Sequence, residues 1–116
     1  MSNTIKIIST KGGKLTLNNV IPRLLMLEYT NSLTEKAKYQ KGFVNSNSYW
    51  KNSLAFSHNI NIELITISEW KTLEDWNNWY LSKERYEIYR KYSNIIAKEH
   101  FDYLTQKNIN DDIFLL

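Results

Sequence analysis

The chain has 116 residues, of which 42% are hydrophobic and 23% are charged, a balance typical of a single globular domain. It contains no cysteine, which excludes disulfides, thiolate zinc sites and cysteine nucleophiles. The net charge of +3 comes mainly from lysines that are scattered along the chain. A nucleic-acid-binding surface concentrates lysine and arginine in a stripe, so we expect no nucleic-acid partner. No apolar run is long enough to span a bilayer and no signal peptide is evident, so we expect a cytoplasmic protein.

Two strands and one helix are predicted in the first half of the chain. Residues 4–10 are rich in β-branched side chains and precede the run Lys11 to Gly13, which indicates a strand followed by a turn. Apolar residues four positions apart predict a helix over residues 20–38, which ends before Gly42. Residues 43–50 predict a polar second strand. The buried stripe of the helix is expected to contain Ile21, Leu25, Tyr29, Leu33 and Ala37.

The second half of the chain predicts a loop over residues 51–59, a strand over residues 60–70, two consecutive helices and a final strand over residues 100–105. Thr72 resembles the first residue of a capping box for the first of these helices, and Ser82 caps the second. The buried side of the second helix is expected to contain Ile88, Tyr89, Tyr92, Ile95 and Ile96.

The element order β-α-β-β-α-β predicts an α+β, ferredoxin-like fold, in which the helices cover one face of a four-stranded antiparallel sheet. Alternation within residues 60–70 gives two rows with apolar centres, one around Leu64 and the other around Ile65 and Ile67. Because one row must face away from the helices, a second copy of the sheet is its simplest cover, and we expect a homodimer. We expect a single domain over residues 1–107 and a C-terminal tail over residues 108–116.

Two runs of residues resemble the antibiotic biosynthesis monooxygenase (ABM) family. Gln40-Lys41-Gly42-Phe43-Val44 is similar to the family's junction between the first helix and the second strand. A more specific run from Ile67 to Arg85 is similar to the family signature of spaced tryptophans followed by Ser-x-Glu-Arg. The likeness covers residues 40–104 closely and the first strand and helix loosely. It implies a dimeric α/β barrel, in which two ferredoxin-like sheets face each other.

The resemblance implies a cofactor-independent monooxygenase that oxidises an aromatic or quinol-like small molecule with O2. The electron-rich substrate is itself the reductant in such enzymes, so neither flavin nor metal is required. The protein must bind a flat ring, favour its anion and exclude water, which aromatic walls and a few polar donors achieve. We predict Trp79 and Tyr89 as catalytic residues. The predicted substrate-binding residues are Trp70, Trp76, Asn45, Asn47 and Thr66.

Two other functions stay open. In the haem-degrading branch of the family, the pocket tryptophan corresponds to Trp79, but the axial histidine corresponds to Tyr89 and an asparagine to Ile5. Family-type haem degradation is therefore not expected, although tyrosinate can ligate haem iron. The alternative is a non-catalytic homodimer that binds haem or another flat hydrophobic ligand. In a third interpretation the aromatic residues only form core and interface. Glu63 would serve as a base only if it were buried near Lys or Tyr.

Overall fold

The structure, a computed structural model, describes residues 3–13, 20–51 and 62–105. Its strands form one antiparallel sheet in the order β2-β3-β1-β4, which confirms the predicted α+β class. None of the helices in these ranges is both long and apolar enough to cross a membrane. The seven described elements are β1 (Ile5–Gly13), α1 (Val20–Ala37), β2 (Phe43–Trp50), β3 (Ile62–Trp70), α2 (Leu73–Tyr80), α3 (Lys83–Tyr92) and β4 (Ile96–Thr105).

Local sequence signals explain where the two short helices begin. The Thr72 hydroxyl accepts a hydrogen bond from the Asp75 amide at 3.0 Å and so caps α2. The Ser82 hydroxyl accepts from the Arg85 amide at 3.2 Å and caps α3 in the same way. Gly42 adopts a φ of 85° between α1 and β2, a conformation that side chains with a Cβ rarely adopt. The predicted helix starts at Thr72 and Ser82 and the predicted break before β2 at Gly42 are confirmed.

Two predicted boundaries are wrong. The strand β1 continues through Gly12 and Gly13, where a turn was predicted, and a Cβ on Gly13 would lie only 2.5 Å from the Met26 sulfur. Glycine therefore continues the strand here, because it lets α1 pack directly against the backbone of β1. The strand β4 begins at Ile96, which was assigned to the buried stripe of a helix. Ile96 is buried as expected, but it pairs with Gly13 in the sheet. The predicted loop beyond Lys51 and the predicted tail lie outside the described residues.

The core between helices and sheet consists of two apolar clusters with polar side chains between them. One cluster contains Met26, Tyr29, Leu64, Tyr92 and Ile96, and the other contains Ile7, Ala37, Trp70 and Trp79. On the helix-facing side, Ser9 and Lys11 follow Ile7 along β1, while Thr66 and Ser68 separate Leu64 from Trp70 along β3. The middle of the sheet is thus polar although helices cover it. This arrangement is unusual, because burial of a polar side chain is unfavourable unless it is hydrogen-bonded.

The opposite side of the sheet, here called the open face, carries no helix of the described chain. At its centre Ile8 lies opposite Ile67, and Tyr49 lies opposite Ile65. The three isoleucines are half-buried, and Tyr49 is exposed. The rim is charged, since Glu63 pairs with both Lys51 and Lys98, at 3.2 and 3.4 Å. The apolar row that was expected to face away from the helices is therefore the row of Ile65 and Ile67.

Candidate functional site

A cavity of about 50 Å³ lies between the helices and the polar middle of the sheet; we call it the internal cavity. This volume accommodates a few water molecules, whereas a cavity that holds benzene measures about 150 Å³. Every strand and every helix contributes to its lining. The aromatic lining residues are Phe43, Trp70, Trp76, Trp79 and Phe101. The hydroxyl-bearing ones are Ser9, Thr30, Thr34, Ser46, Thr66 and Ser68, and the charged ones are Lys11, Arg85 and Glu99.

The aromatic wall of the internal cavity has a buried part and a partly exposed part. Trp70 and Trp79 are buried, and the Trp70 indole donates a hydrogen bond to the Ser68 hydroxyl at 3.0 Å. Trp76 is half-buried, stacks on Tyr80 at 5.1 Å between ring centroids and contacts Phe101 at 5.6 Å. Trp76 and Trp79, about one turn apart on α2, and Trp70 and Phe101 of the sheet present flat apolar surface to the cavity.

Lys11 is the most unusual residue of the site, since it is 2% exposed inside the fold. Its ammonium donates to the Ser9 hydroxyl at 2.9 Å and to the Thr66 hydroxyl at 3.5 Å. Burial lowers the pKa of Lys11 from 10.5 to about 8, while the Glu99 carboxylate raises this pKa and the Arg85 guanidinium lowers it further. Lys11 is therefore mostly charged at pH 7.

Among the described residues, Glu99 is the one carboxylate that lines the internal cavity, and its oxygens are already engaged. It accepts a hydrogen bond from the Tyr29 hydroxyl at 2.6 Å and pairs with the Arg85 guanidinium at 3.1 Å. Burial and the negative charge of Glu99 hold the pKa of Tyr29 far above its ordinary value, so this phenol stays protonated. Arg85 also lies over the rings of Tyr80 and Phe101, at 4.5 and 5.4 Å.

Of the predicted donors, Thr66 lines the internal cavity, while Asn45 and Asn47 do not. The cause is a bulge in β2, where the register shifts between Phe43 and Asn45. Because one extra residue exchanges the two faces of a strand, Phe43 and Ser46 face the helices and both asparagines face the open side. Ser46 thus occupies the place in the lining that the asparagines were predicted to fill.

Tyr89 also lies outside the internal cavity, in contrast to Trp79. It lines a surface depression of about 710 Å³ together with Tyr80 and Tyr86; we call it the outer depression. The side chains of Arg85, Glu99 and Phe101 line both spaces and so form the wall between them. Trp79 and Tyr89 therefore do not face one common cavity in this geometry.

Haem does not fit the internal cavity, because ligands of cofactor size occupy pockets of roughly 300–1,000 Å³. The two residues that the family resemblance assigns to a haem pocket, Trp79 and Tyr89, are on opposite sides of the wall. In the internal cavity, the residues present thus do not form the haem site of the haem-degrading branch. Within the described ranges, no group of three or more His, Asp or Glu side chains is placed to hold a metal ion.

Glu63 does not meet the condition for a buried base. Hydrogen bonding to Lys51 holds the pKa of the Glu63 carboxyl below its ordinary value, and Lys98 acts in the same direction. The carboxyl is therefore ionised at neutral pH and belongs to the charged rim of the open face.

Comparison with solved structures gives likenesses over nearly the whole chain. SnoaB, a cofactor-independent oxygenase from Streptomyces nogalater, has a TM-score of 0.67 and 8% identity, over 91% of this chain and 95% of that one. A possible oxidoreductase from Bacteroides thetaiotaomicron has a TM-score of 0.66 and 8% identity, over 91% and 100%. A dimeric protein of ferredoxin-like fold from Bacteroides fragilis has a TM-score of 0.68 and 9% identity, over 89% and 96%. The chain has a ferredoxin-like fold.

Neither the family models nor the curated proteins contain a match to this sequence. At sequence identities this low, the structural likeness establishes the ferredoxin-like fold alone. The activity has to be inferred from the residues of the site. The internal cavity therefore has to be interpreted from its own chemistry.

Sequence reasoning did not identify Lys11, Arg85 and Glu99 as site residues. Lys11 stands next to two glycines, and the run Lys11 to Gly13 predicts a turn after the strand. One signal was present, because Lys11 continues the alternating row of Ile7 and Ser9 on the side of β1 that faces the helices. A lysine in that row is an unusual buried cation.

Proposed function

We propose that this ferredoxin-like chain is a cofactor-independent monooxygenase of the ABM type, acting on an aromatic or quinol-like small molecule with O2. The observation that carries the proposal is the internal cavity itself, where tryptophan walls surround a small set of buried polar donors. The likeness to a cofactor-independent oxygenase supports the same activity at the level of the fold. The resemblance of the run from Ile67 to Arg85 to the ABM signature is a further support.

The proposed reaction converts an activated ring CH2 into a carbonyl. The ring anion transfers electrons to O2, and a bond forms between the ring carbon and one oxygen atom. The other oxygen leaves as water with the two hydrogens that the carbon loses. The substrate carbon gives up four electrons and O2 accepts four, so no external reductant is needed. The protein has to hold the ring, favour its anion and exclude bulk water.

The residues of the internal cavity suit these tasks. Trp70 and Trp79 supply buried flat walls, and Trp76 with Phe101 forms the partly exposed wall. The Thr66 hydroxyl, bonded to Ser48 at 2.9 Å, is the predicted donor that remains in this cavity. Asn45 and Asn47 have no part in this proposal because they lie on the open face, and Tyr89 lines the entrance from the outer depression.

The size of the internal cavity sets a condition on the substrate. A ring needs about three times the volume that is present, so side chains must move when it binds. We propose that the ring enters from the outer depression through the wall of Arg85 and Phe101, because these side chains line both spaces. Side-chain contacts hold this wall: Arg85 lies over the rings of Tyr80 and Phe101 and pairs with Glu99.

We expect oxygen uptake with quinols or anthrone-like substrates in the presence of a chelator and without added flavin or metal. Trp79→Phe should lower kcat/KM at least about tenfold, because the smaller ring leaves space beside the substrate and loosens its orientation. An oxygen electrode measures the oxygen uptake and the change in kcat/KM, and mass spectrometry identifies the product. Trp50→Phe is the matched control, since Trp50 does not line the internal cavity.

Turnover that requires added flavin or metal would contradict the cofactor-free mechanism. Equal losses in Trp79→Phe and Trp50→Phe would show that Trp79 acts only through stability. If no phenol or quinol promotes oxygen uptake, the interpretation of the aromatic residues as core becomes the better one.

We further propose that the open face is the interface of a homodimer. Its half-buried isoleucines and exposed Tyr49 form an apolar centre within a charged rim, as interfaces between subunits commonly do. Burial of each large aliphatic side chain is worth roughly 1.5–3 kcal/mol, which favours pairing of two copies. One of the proteins of similar fold is described as dimeric.

Analytical ultracentrifugation at micromolar concentration should give twice the monomer mass for the wild type. Ile67→Glu, at the centre of the open face, should give the monomer mass, because a charge would have to be buried in the interface. Leu81→Glu is the control, since Leu81 is exposed in the turn between α2 and α3. A monomeric wild type, or dissociation by both substitutions, would contradict the assignment of the interface.

A further inference from the structure

The charges around the internal cavity do not balance. Lys11 from β1 and Arg85 from α3 are two cations, while Glu99 from β4 is one carboxylate. Arg85 pairs with Glu99, whose other oxygen accepts from Tyr29 of α1. Lys11 forms no ion pair with any carboxylate of the described residues, and its hydrogen bonds go to hydroxyl groups. Among the described residues, Lys11 is therefore a cation of this cavity without an ion pair.

A buried cation without a counter-ion is unfavourable, since transfer of a charge out of water costs several kcal/mol that only a partner recovers. Burial lowers the pKa of Lys11 to about 8, although the Glu99 carboxylate acts in the opposite direction. An anion beside the ammonium would remove the imbalance and keep Lys11 protonated.

Thr30 supplies an independent indication of a ligand. Its side chain is 3% exposed and lines the internal cavity, yet its hydroxyl has no hydrogen-bond partner among the described residues. Buried hydroxyl groups are nearly always bonded, so an unpartnered one beside a cavity is a hydrogen-bonding position open to a molecule in that cavity, either water or a ligand oxygen. A hydroxyl can donate to the same oxygen that an ammonium contacts.

We propose that the internal cavity binds one ionised oxygen of its ligand, and that the Lys11 ammonium and the Thr30 hydroxyl are the donors to this oxyanion. The ligand class is then a weakly acidic phenol or enol bound as its anion. When Lys11 is neutral, the O–H bond of the ligand breaks, a new N–H bond forms, and the ion pair stays in the cavity. When Lys11 is already charged, the proton leaves to solvent.

A phenol or enol matches the donors better than a carboxylate does. A carboxylate presents two oxygens and is bound best by the planar fork of arginine, but Arg85 is already engaged with Glu99. The single point charge of Lys11 with one hydroxyl suits one oxygen. The surrounding tryptophans favour a ring as the rest of the ligand. That the ligand contains a ring rests on the proposed function. That the ligand carries a negative charge rests on Lys11 and Thr30.

The test uses 4-nitrophenol, whose anion absorbs visible light and which is not oxidised by O2. We titrate the full chain with it at a pH where the free probe is mostly neutral. The wild type should raise the ratio of ionised to neutral probe at least tenfold. Lys11→Met should abolish this effect, and Thr30→Val should weaken binding of the anion about tenfold. Lys98→Met is the control, since Lys98 pairs with Glu63 at the rim of the open face.

Absence of probe binding, binding in the neutral form, or an unchanged spectrum in Lys11→Met would overturn the proposal. Tighter binding of benzoate than of 4-nitrophenol would overturn the assignment to a phenol or enol. Thr30→Val decides the question if Lys11→Met fails to fold, because valine has the same shape as threonine. Oxygen uptake is not part of this test, so anion binding without turnover would uphold the site and reject the proposed monooxygenase activity.

Discussion

Glu99→Gln should lower the free energy of unfolding by about 3–5 kcal/mol at pH 7, the usual effect of removing one partner of a buried ion pair. Glu99 and Arg85 are almost completely buried, with side-chain exposures of 9% and 12%. The substitution removes the carboxylate that lines the internal cavity in the described part of the chain, and leaves Arg85 and Lys11 as like charges close to each other. It also weakens the hydrogen bond that the Tyr29 hydroxyl donates. Urea denaturation followed by circular dichroism measures the change.

The matched control for this substitution is Glu87→Gln. Glu87 pairs with Lys83 at 3.8 Å on the exposed side of α3, where an ion pair contributes little. The double variant Arg85→Met with Glu99→Met should recover much of the lost stability, because neither charge then remains buried alone. Equal effects of the two glutamate substitutions, or a double variant less stable than Glu99→Gln, would show that this pair is not the source of the stability.

Stability should rise by about 2 kcal/mol between pH 8 and pH 10, because the pKa of Lys11 is about 8 in the folded chain and 10.5 in the unfolded chain. In this range the unfolded chain binds more protons at Lys11 than the folded chain does, so the free energy of unfolding increases with pH. Two charged groups act on the pKa of Lys11, Glu99 of β4 and Arg85 of α3. Tyr29 of α1 is a third titratable group nearby, since it donates a hydrogen bond to Glu99.

The upper limit of this range comes from Tyr29. Its pKa is raised in the folded chain, so above pH 10 the folded chain retains a proton that the unfolded chain loses, and stability falls. Lys11→Met is the control, because methionine keeps the side-chain length without a titratable group and should give a nearly flat profile between pH 8 and pH 10. The same rise in Lys11→Met would assign the effect to another group.

The order of the elements and several of their boundaries were predictable from local signals. Thr72 and Ser82 cap the helices where their sequence pattern indicates, and β2 has the predicted bounds Phe43–Trp50. On α1, Tyr29 and Ala37 of the expected stripe are buried, but so is Met26, which lies next to that stripe. These features depend on hydrogen bonds and spacing within a few residues, so a local pattern contains the information.

The candidate site was predictable only in part. Trp70, Trp76, Trp79 and Thr66 line one cavity, in agreement with their expected proximity, although their roles stay predictions. Asn45 and Asn47 do not reach it because the bulge after Phe43 exchanges the faces of β2. A single unpaired residue leaves almost no trace in an alternating pattern, since both registers are compatible with a polar strand.

The amino-acid sequence by itself determined that this chain forms helices and strands in the ferredoxin-like order and that Trp70, Trp76 and Trp79 lie close together at α2. The tertiary structure alone decided which side of each strand the helices cover, and so placed Lys11 in the interior beside Glu99. The physical reason is separation along the chain. Tyr29 and Glu99 are 70 residues apart, yet their hydrogen bond and the burial around it decide which charged groups the cavity contains. Such long-range contacts depend on packing, which no local spacing encodes.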